Sequence, residues 1–192
     1  MKKIIAVFFA VTFFILILYF NQKSMRQAEK NVENSLFDYA RNGDLTNLNQ
    51  YANSKNLQSR DCHGRTPIFY AAGPDVMELL IARGIDINHC IDDEGISLLQ
   101  FYCMQDKTEN AGKLIPLIDD INRQDQVGGN PLIWSIVRGN TELVRVLLDN
   151  NADVSVRLNN GMSVIEIARK NKNRKDEIIE MLERKIENQK IK

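Results

Sequence analysis

The sequence predicts an all-α repeat protein: a solenoid of about five helix–turn–helix repeats with β-hairpin fingers, preceded by one N-terminal transmembrane helix. Three observations carry this expectation. Short amphipathic runs such as 130–136 and 143–151 come in pairs, and no run is long enough to bury its apolar side alone. Polar tetrads ending in Gly64, Gly95, Gly128 and Gly161 recur in phase, 31, 33 and 33 residues apart. Seventeen residues from Ile4 to Phe20 are interrupted in their apolar character only by Thr12.

That N-terminal run follows Lys2 and Lys3 and would span roughly 26 Å as a helix, close to the thickness of a bilayer core. No small-x-small cleavage site follows it, and the first cysteine beyond it is Cys62, too far for a lipid anchor. The expectation is an uncleaved signal anchor over residues 1–20 and a polar juxtamembrane linker over 21–33. Lys2 and Lys3 favour an inside N-terminus, whereas Lys23, Arg26 and Lys30 argue the other way. A three-residue tail leaves little to translocate, and a basic start before an apolar run has the form of an export signal. The reading is a single-pass protein of the bacterial inner membrane with its repeats in the periplasm.

Composition excludes some classes. Lys and Arg total 25 and Asp and Glu total 25, so the chain lacks the basic footprint of a nucleic-acid binder. Three cysteines are too few for a disulfide scaffold, and their odd number leaves at least one free or paired with another chain.

Each tetrad (61–64, 92–95, 125–128, 158–161) leads into a short apolar helix: TPIFYAA (66–72), SLLQFYC (97–103), NPLIWSI (130–136) and SVIEIA (163–168). A second helix follows, as in VMELLIARG (76–84) and LVRVLLDNN (143–151). Asp86-Ile87-Asn88, Asp120-Ile121-Asn122 and Asp153-Val154-Ser155 then close three of the repeats. The pattern resembles the ankyrin repeat, D-x-x-G-x-T-P-L-H-x-A-A followed by a V-x-x-L-L helix and G-A-D-V-N. The resemblance covers residues 34–186, divided at about 34–60, 61–91, 92–124, 125–157 and 158–186, with a charged tail at 187–192. The first and last units read as polar caps.

The residue types have physical reasons. Thr66 and Ser163 suit helix caps, and Pro67 and Pro131 suit first turns. Ala71 and Ala72 allow close helix approach. Gly84 and Asn151 can end second helices in a left-handed conformation. Leu79, Leu80, Leu147 and Leu148 face the next repeat. Departures matter as well. Gly73-Pro74 replaces a turn three residues longer, and Gly112 and Pro116 should leave the third repeat's second helix short or bent. Phe69, Gln100, Ile133 and Glu166 stand where the resemblance expects histidine, which implies a weaker hydrogen-bond network between loops.

Little here carries chemistry. Cys62-His63 and His89-Cys90 fall on adjacent fingers; zinc and a Cys62–Cys90 disulfide are alternatives to the preferred reading of free thiols in turns. Cys103 reads as a small core residue, and Tyr70, Phe101 and Trp134 as core aromatics. The acidic groups Asp92-Asp93-Glu94 and Asp119-Asp120 read as solvated loops. With no phosphate-cradling loop and no nucleophile–base pairing, the chain reads as a non-enzyme without cofactor or metal.

What the ankyrin resemblance implies is recognition of a protein by finger tips and the inner face of the first helices. The candidate partner-binding residues are His63, Arg65, Asp93, Glu94, Ile96, Gln126, Val127, Asn159, Asn160 and Met162, with Met104 and Arg138 on the helix side. Substitutions at Arg65, Glu94, Gln126 and Asn159 are expected to cost little stability. The architecture also resembles exported ankyrin-repeat immunity proteins that neutralise secreted antibacterial effectors such as phospholipases. The alternative is a periplasmic scaffold or assembly factor for an envelope enzyme.

Overall fold

Short helices pair and stack in register. The computed structural model describes residues 22–24, 35–53, 55–171 and 175–190. The pairs are α1 (35–42) with α2 (Leu45–Tyr51), a 3-10 turn (Pro67–Tyr70) with α3 (Pro74–Ala82), α4 (Leu98–Met104) with α5 (Thr108–Leu114), α6 (Pro131–Arg138) with α7 (Thr141–Asp149), and α8 (Val164–Lys170) with α9 (Lys175–Lys190). The apolar stretch Ile4–Phe20 and most of the 21–33 linker lie outside the described residues. Among the described residues no helix is long and apolar enough to cross a membrane. The last helix runs to Lys190, past the boundary placed at residue 186.

Polar caps start the helices. Ser97 and Ser163 form capping boxes with Gln100 and Glu166, and the Asn130 side chain accepts from the Ile133 N–H. Thr66 departs from its expected role: it makes no cap bond, and its hydroxyl lies 3.4 Å from the Cys90 sulfur. Gly84 (φ 94°) and Asn151 (φ 62°) both take the left-handed conformation read from the sequence.

One continuous apolar core runs through the stack from Leu36 to Leu182. Leu80, Leu147 and Leu148 are buried in it, and Leu79 is half-buried. Ala71 is buried too, but Ala72 is exposed; its N–H bonds the Ala40 carbonyl of the preceding repeat at 2.9 Å.

The expected β-hairpin fingers are turns, with no strand among the described residues beyond the isolated antiparallel bridges Ile91–Ser97 and Arg157–Ser163. All four fingers close with the same two backbone bonds, as in Asp125 N–H to Gly129 O (2.9 Å) and Gly128 N–H to Asp125 O (3.1 Å). In three of them the leading aspartate also accepts two backbone N–H groups: Asp61 from His63 and Arg65, Asp92 from Glu94 and Ile96, Asp125 from Val127 and Gly129. The glycine ending each tetrad has positive φ, and a Cβ at Gly64 or Gly128 would lie 3.0 Å from the backbone nitrogen of Asp93 or Asn159 in the next finger.

Adjacent repeats are tied through backbone groups. Asp93 N–H donates to His63 O (3.0 Å) and Asn159 N–H to Val127 O (2.9 Å). Gln126 and Asn159 side-chain amides donate to the carbonyls of Asp93 and Gln126 in the preceding fingers. Behind the helices, Asn88 exchanges two hydrogen bonds with Asp119, and Asn122 accepts from the Asp153 N–H. The loss of histidine does not remove the loop network everywhere: fully buried Gln100 donates to the Gly129 carbonyl at 2.6 Å.

The three-residue shortage of the second repeat converts its first helix into the 3-10 turn. From Pro67 to Pro74 the chain advances seven positions, against ten from Pro131 to Thr141. The third repeat serves the carbonyls left over. Buried Tyr102 donates to Ile68 O at 2.6 Å, and the Lys107 ammonium donates to Ala71 O at 2.5 Å. The second helix of the third repeat is short, as expected: α5 ends at Leu114 and a 3-10 turn, Ile115–Leu117, replaces its continuation.

Aromatic residues nine positions after the finger aspartates show a further rule. Tyr70 donates its hydroxyl to Asp61 (2.5 Å) and Trp134 its indole N–H to Asp125 (2.7 Å). Phe101 has nothing to donate to Asp92. There Arg65 of the preceding repeat donates twice to Asp92, at 3.0 and 2.9 Å, with its guanidinium carbon 4.6 Å from the Phe101 ring centroid. Asp92 is therefore a buried, fully engaged carboxylate and not part of a solvated loop cluster.

The packing sets the expected cost of four substitutions. Leu147→Ala should cost about 2–5 kcal/mol as a cavity in the core, whereas Gly112→Ala should stabilise by about 0.4–1 kcal/mol. Gly112 is helical and a Cβ there meets nothing within 4 Å. Urea unfolding measures both, and a loss at Gly112→Ala would contradict the open space. Arg65→Ala should cost about 1–3 kcal/mol, because it strips the cation from a buried carboxylate. Glu94→Ala should stay within about 0.5 kcal/mol; equal melting temperatures for the two variants would remove the role given to Arg65.

Candidate interaction surface

The candidate residues on the fingers and the first helices fall into four groups. His63, Asp93, Glu94, Val127, Asn160 and Arg138 are exposed, as expected. Gln126 and Asn159 are exposed as well, but their amides are engaged with neighbouring fingers. Arg65, Met104 and Met162 are half-buried. Of these, Arg65 is committed to Asp92, so the expectation that its loss leaves stability unchanged does not hold. Ile96 is corrected outright: it is 5% exposed and belongs to the core. Its position in the repeat is also that of Arg65, Gly129 and Met162. At that position Arg65 reaches across to Asp92 of the next finger, whereas the isoleucine gains by burying its apolar side chain.

Exposed large apolar side chains are scattered over the stack, Leu45, Tyr51 and Leu117 among them, and two lie on the fourth repeat. Val127 is 52% and Val137 46% exposed. An open groove of about 400 Å³ is lined by Val137, Leu158, Met162, Ile167, Lys170 and Asn171. Asn171 fixes its wall by donating from Nδ2 to the carbonyls of Ile136 (2.6 Å) and Val137 (3.0 Å) at the end of α6. The Lys170 ammonium lies 3.1 Å from the Met162 sulfur. On the finger side Trp134 is held flat across Gly129, where a Cβ would come within 2.7 Å of the indole nitrogen. Of this lining the sequence reading had Met162 but missed Leu158 and Ile167. Their signal was available: they stand at the positions where other repeats carry the finger aspartate and its aromatic partner.

The finger carboxylates and the cysteines are not part of the lining of this groove. Burial acts to raise the Asp61 carboxyl, but the Tyr70 hydroxyl and the Arg65 and His63 N–H groups outweigh it and hold the group below the usual carboxylate range. The His89 ring, 2.7 Å from Asp86, holds that exposed aspartate low. All three cysteines are free, Cys62 exposed and Cys90 and Cys103 buried. Burial pushes the Cys90 thiol up and the Cys103 thiol up to about 12, so both are protonated and inert near neutral pH. Cys103 sits in the core, as read from the sequence. Tyr70 and Trp134 are half-buried and Phe101 is buried, so this aromatic row is packing with polar tips rather than a free stripe. Among the described residues no cluster of three or more His, Cys, Asp or Glu side chains is placed to hold a metal.

Comparison with known families agrees with the geometry. A family model described as ankyrin repeats (3 copies) matches residues 99–191, and a model of the single ankyrin repeat matches residues 63–92. No curated protein matches the chain. Stacked helix pairs, glycine-ended fingers in register and the matched residues from 63 onward lead to one statement of kinship: the chain belongs to the ankyrin-repeat family, whose stacks serve as protein–protein interaction modules.

Proposed function

We propose that the protein is a non-catalytic recognition module, tethered to the bacterial inner membrane by residues 1–20 with its repeats in the periplasm, that binds and neutralises a secreted antibacterial effector such as a phospholipase. The observation that carries the recognition part is the apolar groove at the fourth and fifth repeats, lined in part by exposed Val137 and Lys170. Solvated apolar side chains gathered beside a preformed groove are what a protein partner would cover. The tether rests on the apolar run Ile4–Phe20 behind Lys2 and Lys3. The immunity role rests on the combination of such an anchor with a small repeat stack bearing no catalytic constellation.

Two measurements test this. A reporter fused after Lys192 should be active as alkaline phosphatase and dark as a cytoplasmic fluorescent protein; the reverse pattern removes the periplasmic reading. The gene should lie beside one encoding a toxin. That toxin should be captured by the wild-type chain and released by Val137→Asp, with protection of cells falling in step. Capture and protection unaffected by Val137→Asp would move the recognition surface off this groove. Without a toxin neighbour, the scaffold or assembly-factor role takes the place of immunity.

A further inference from the structure

Resting on the reading that this groove binds a protein, we infer that its occupant is an acidic–apolar segment of the partner. One large apolar side chain would enter between Val137, Leu158, Met162 and Ile167, and a neighbouring Asp or Glu carboxylate would meet Lys170 at the groove's edge.

The apolar half follows from the lining. Leu158 and Met162 come from the last finger, Ile167 from α8 and Val137 from α6, so the groove lies between two repeats and is fixed by the Asn171 bridge to the carbonyls of Ile136 and Val137. Side chains held by helices and by a hydrogen-bonded turn form a preorganised surface, which lowers the ordering cost of binding. The opening is shallow and faces solvent. That favours a single anchoring side chain over an enclosed acyl chain.

The acidic half follows from charge. Lys170 is exposed, and the acceptor 3.1 Å from its ammonium is the thioether of Met162, a weak partner for a cation. Arg138, exposed and next to Val137 in sequence, has no ion pair among the described residues. The acidic groups of this region are already engaged. Glu166 accepts from Ser163 and lies 3.7 Å from Arg157, and Asp125 accepts from Trp134 and two backbone N–H groups. The neighbouring Arg169 pairs with Glu183. Glu166 also feels the charge of Lys170, so one carboxylate faces two cations, the edge of the apolar groove keeps a positive excess, and a carboxylate is the complementary group.

The test selects random dodecapeptides displayed on phage against the immobilised full chain, then measures the best synthetic peptide by fluorescence anisotropy. Enriched sequences should place Asp or Glu within a few residues of Leu, Phe, Met or Trp. Val137→Asp and Lys170→Glu should each weaken that peptide by about tenfold or more, while Lys170→Gln weakens it less. A peptide with its carboxylate changed to Lys should bind Lys170→Glu better than wild type. Both positions are exposed, and unchanged melting temperatures confirm that the variants fold. Peptides that need Val137 but carry no acid, or that ignore Lys170→Glu, overturn the acidic chemistry while leaving the groove as a binding site. Peptides that ignore Val137→Asp, or the enrichment of none, overturn the inference. Release of the natural partner by Val137→Asp then decides separately whether the broader reading stands.

Discussion

Every repeat of this protein leaves backbone groups that only its neighbour can satisfy, and the stack depends on that exchange. Asp93 and Asn159 donate their N–H groups to the fingers before them. Tyr102, Lys107 and Asn171 donate to carbonyls at the ends of the preceding first helices or turns. Lys185 in the last helix does the same for the Leu148 carbonyl at 2.7 Å. An orphaned buried polar group costs on the order of 1–3 kcal/mol, so a repeat displaced from register would lose both its apolar contact and these partners. That coupling explains how helices of seven to nine residues persist at all.

The same exchange decides which surface residues are free to bind something else. Arg65, Gln126 and Asn159 look like solvent-facing polar side chains when each finger is considered alone, yet all three reach into a neighbouring repeat. Their polar groups are spent on the fold. Glu94 and Val127 present exposed side chains with no comparable tie, so exposure and commitment are separate questions even within one finger. A recognition surface on a solenoid is what remains after register has been secured.

Much of this was legible in the sequence, for physical reasons. The finger glycines announce positive φ, Gly84 and Asn151 announce helix ends, and Gly112 with Pro116 announces a broken second helix; each is a local backbone constraint that one residue type reveals. The misreadings concern side chains whose partner lies about one repeat away. Nothing local tells that Ile96 turns inward while Arg65, at the same repeat position, reaches a buried Asp92. Nor does the absence of histidine reveal that Gln100 carries a bond to the next finger. The three-residue deletion was visible, but its remedy by Tyr102 and Lys107 required knowing which carbonyls it left open.

The place of the groove in the stack follows from the same logic. In the repeats beginning at Asp61 and Asp125, the leading aspartate of the finger and the aromatic nine residues later close on each other, covering the inner edge with a polar pair. In the repeat beginning at Asp92 the arrangement survives through Arg65. The last repeat has Leu158 and Ile167 at those two positions, so no such pair can form, and both side chains line the groove instead. Among the described residues a Cβ at Gly161 meets nothing within 4 Å, whereas one at Gly64 or Gly128 would strike the next finger. Ile167 still packs into the core, while Leu158 stays half-buried at the edge of the stack. Leu158 therefore leaves apolar surface at the groove that a partner would cover, and that is the ground for proposing recognition at this end of the stack rather than at its polar-tied middle.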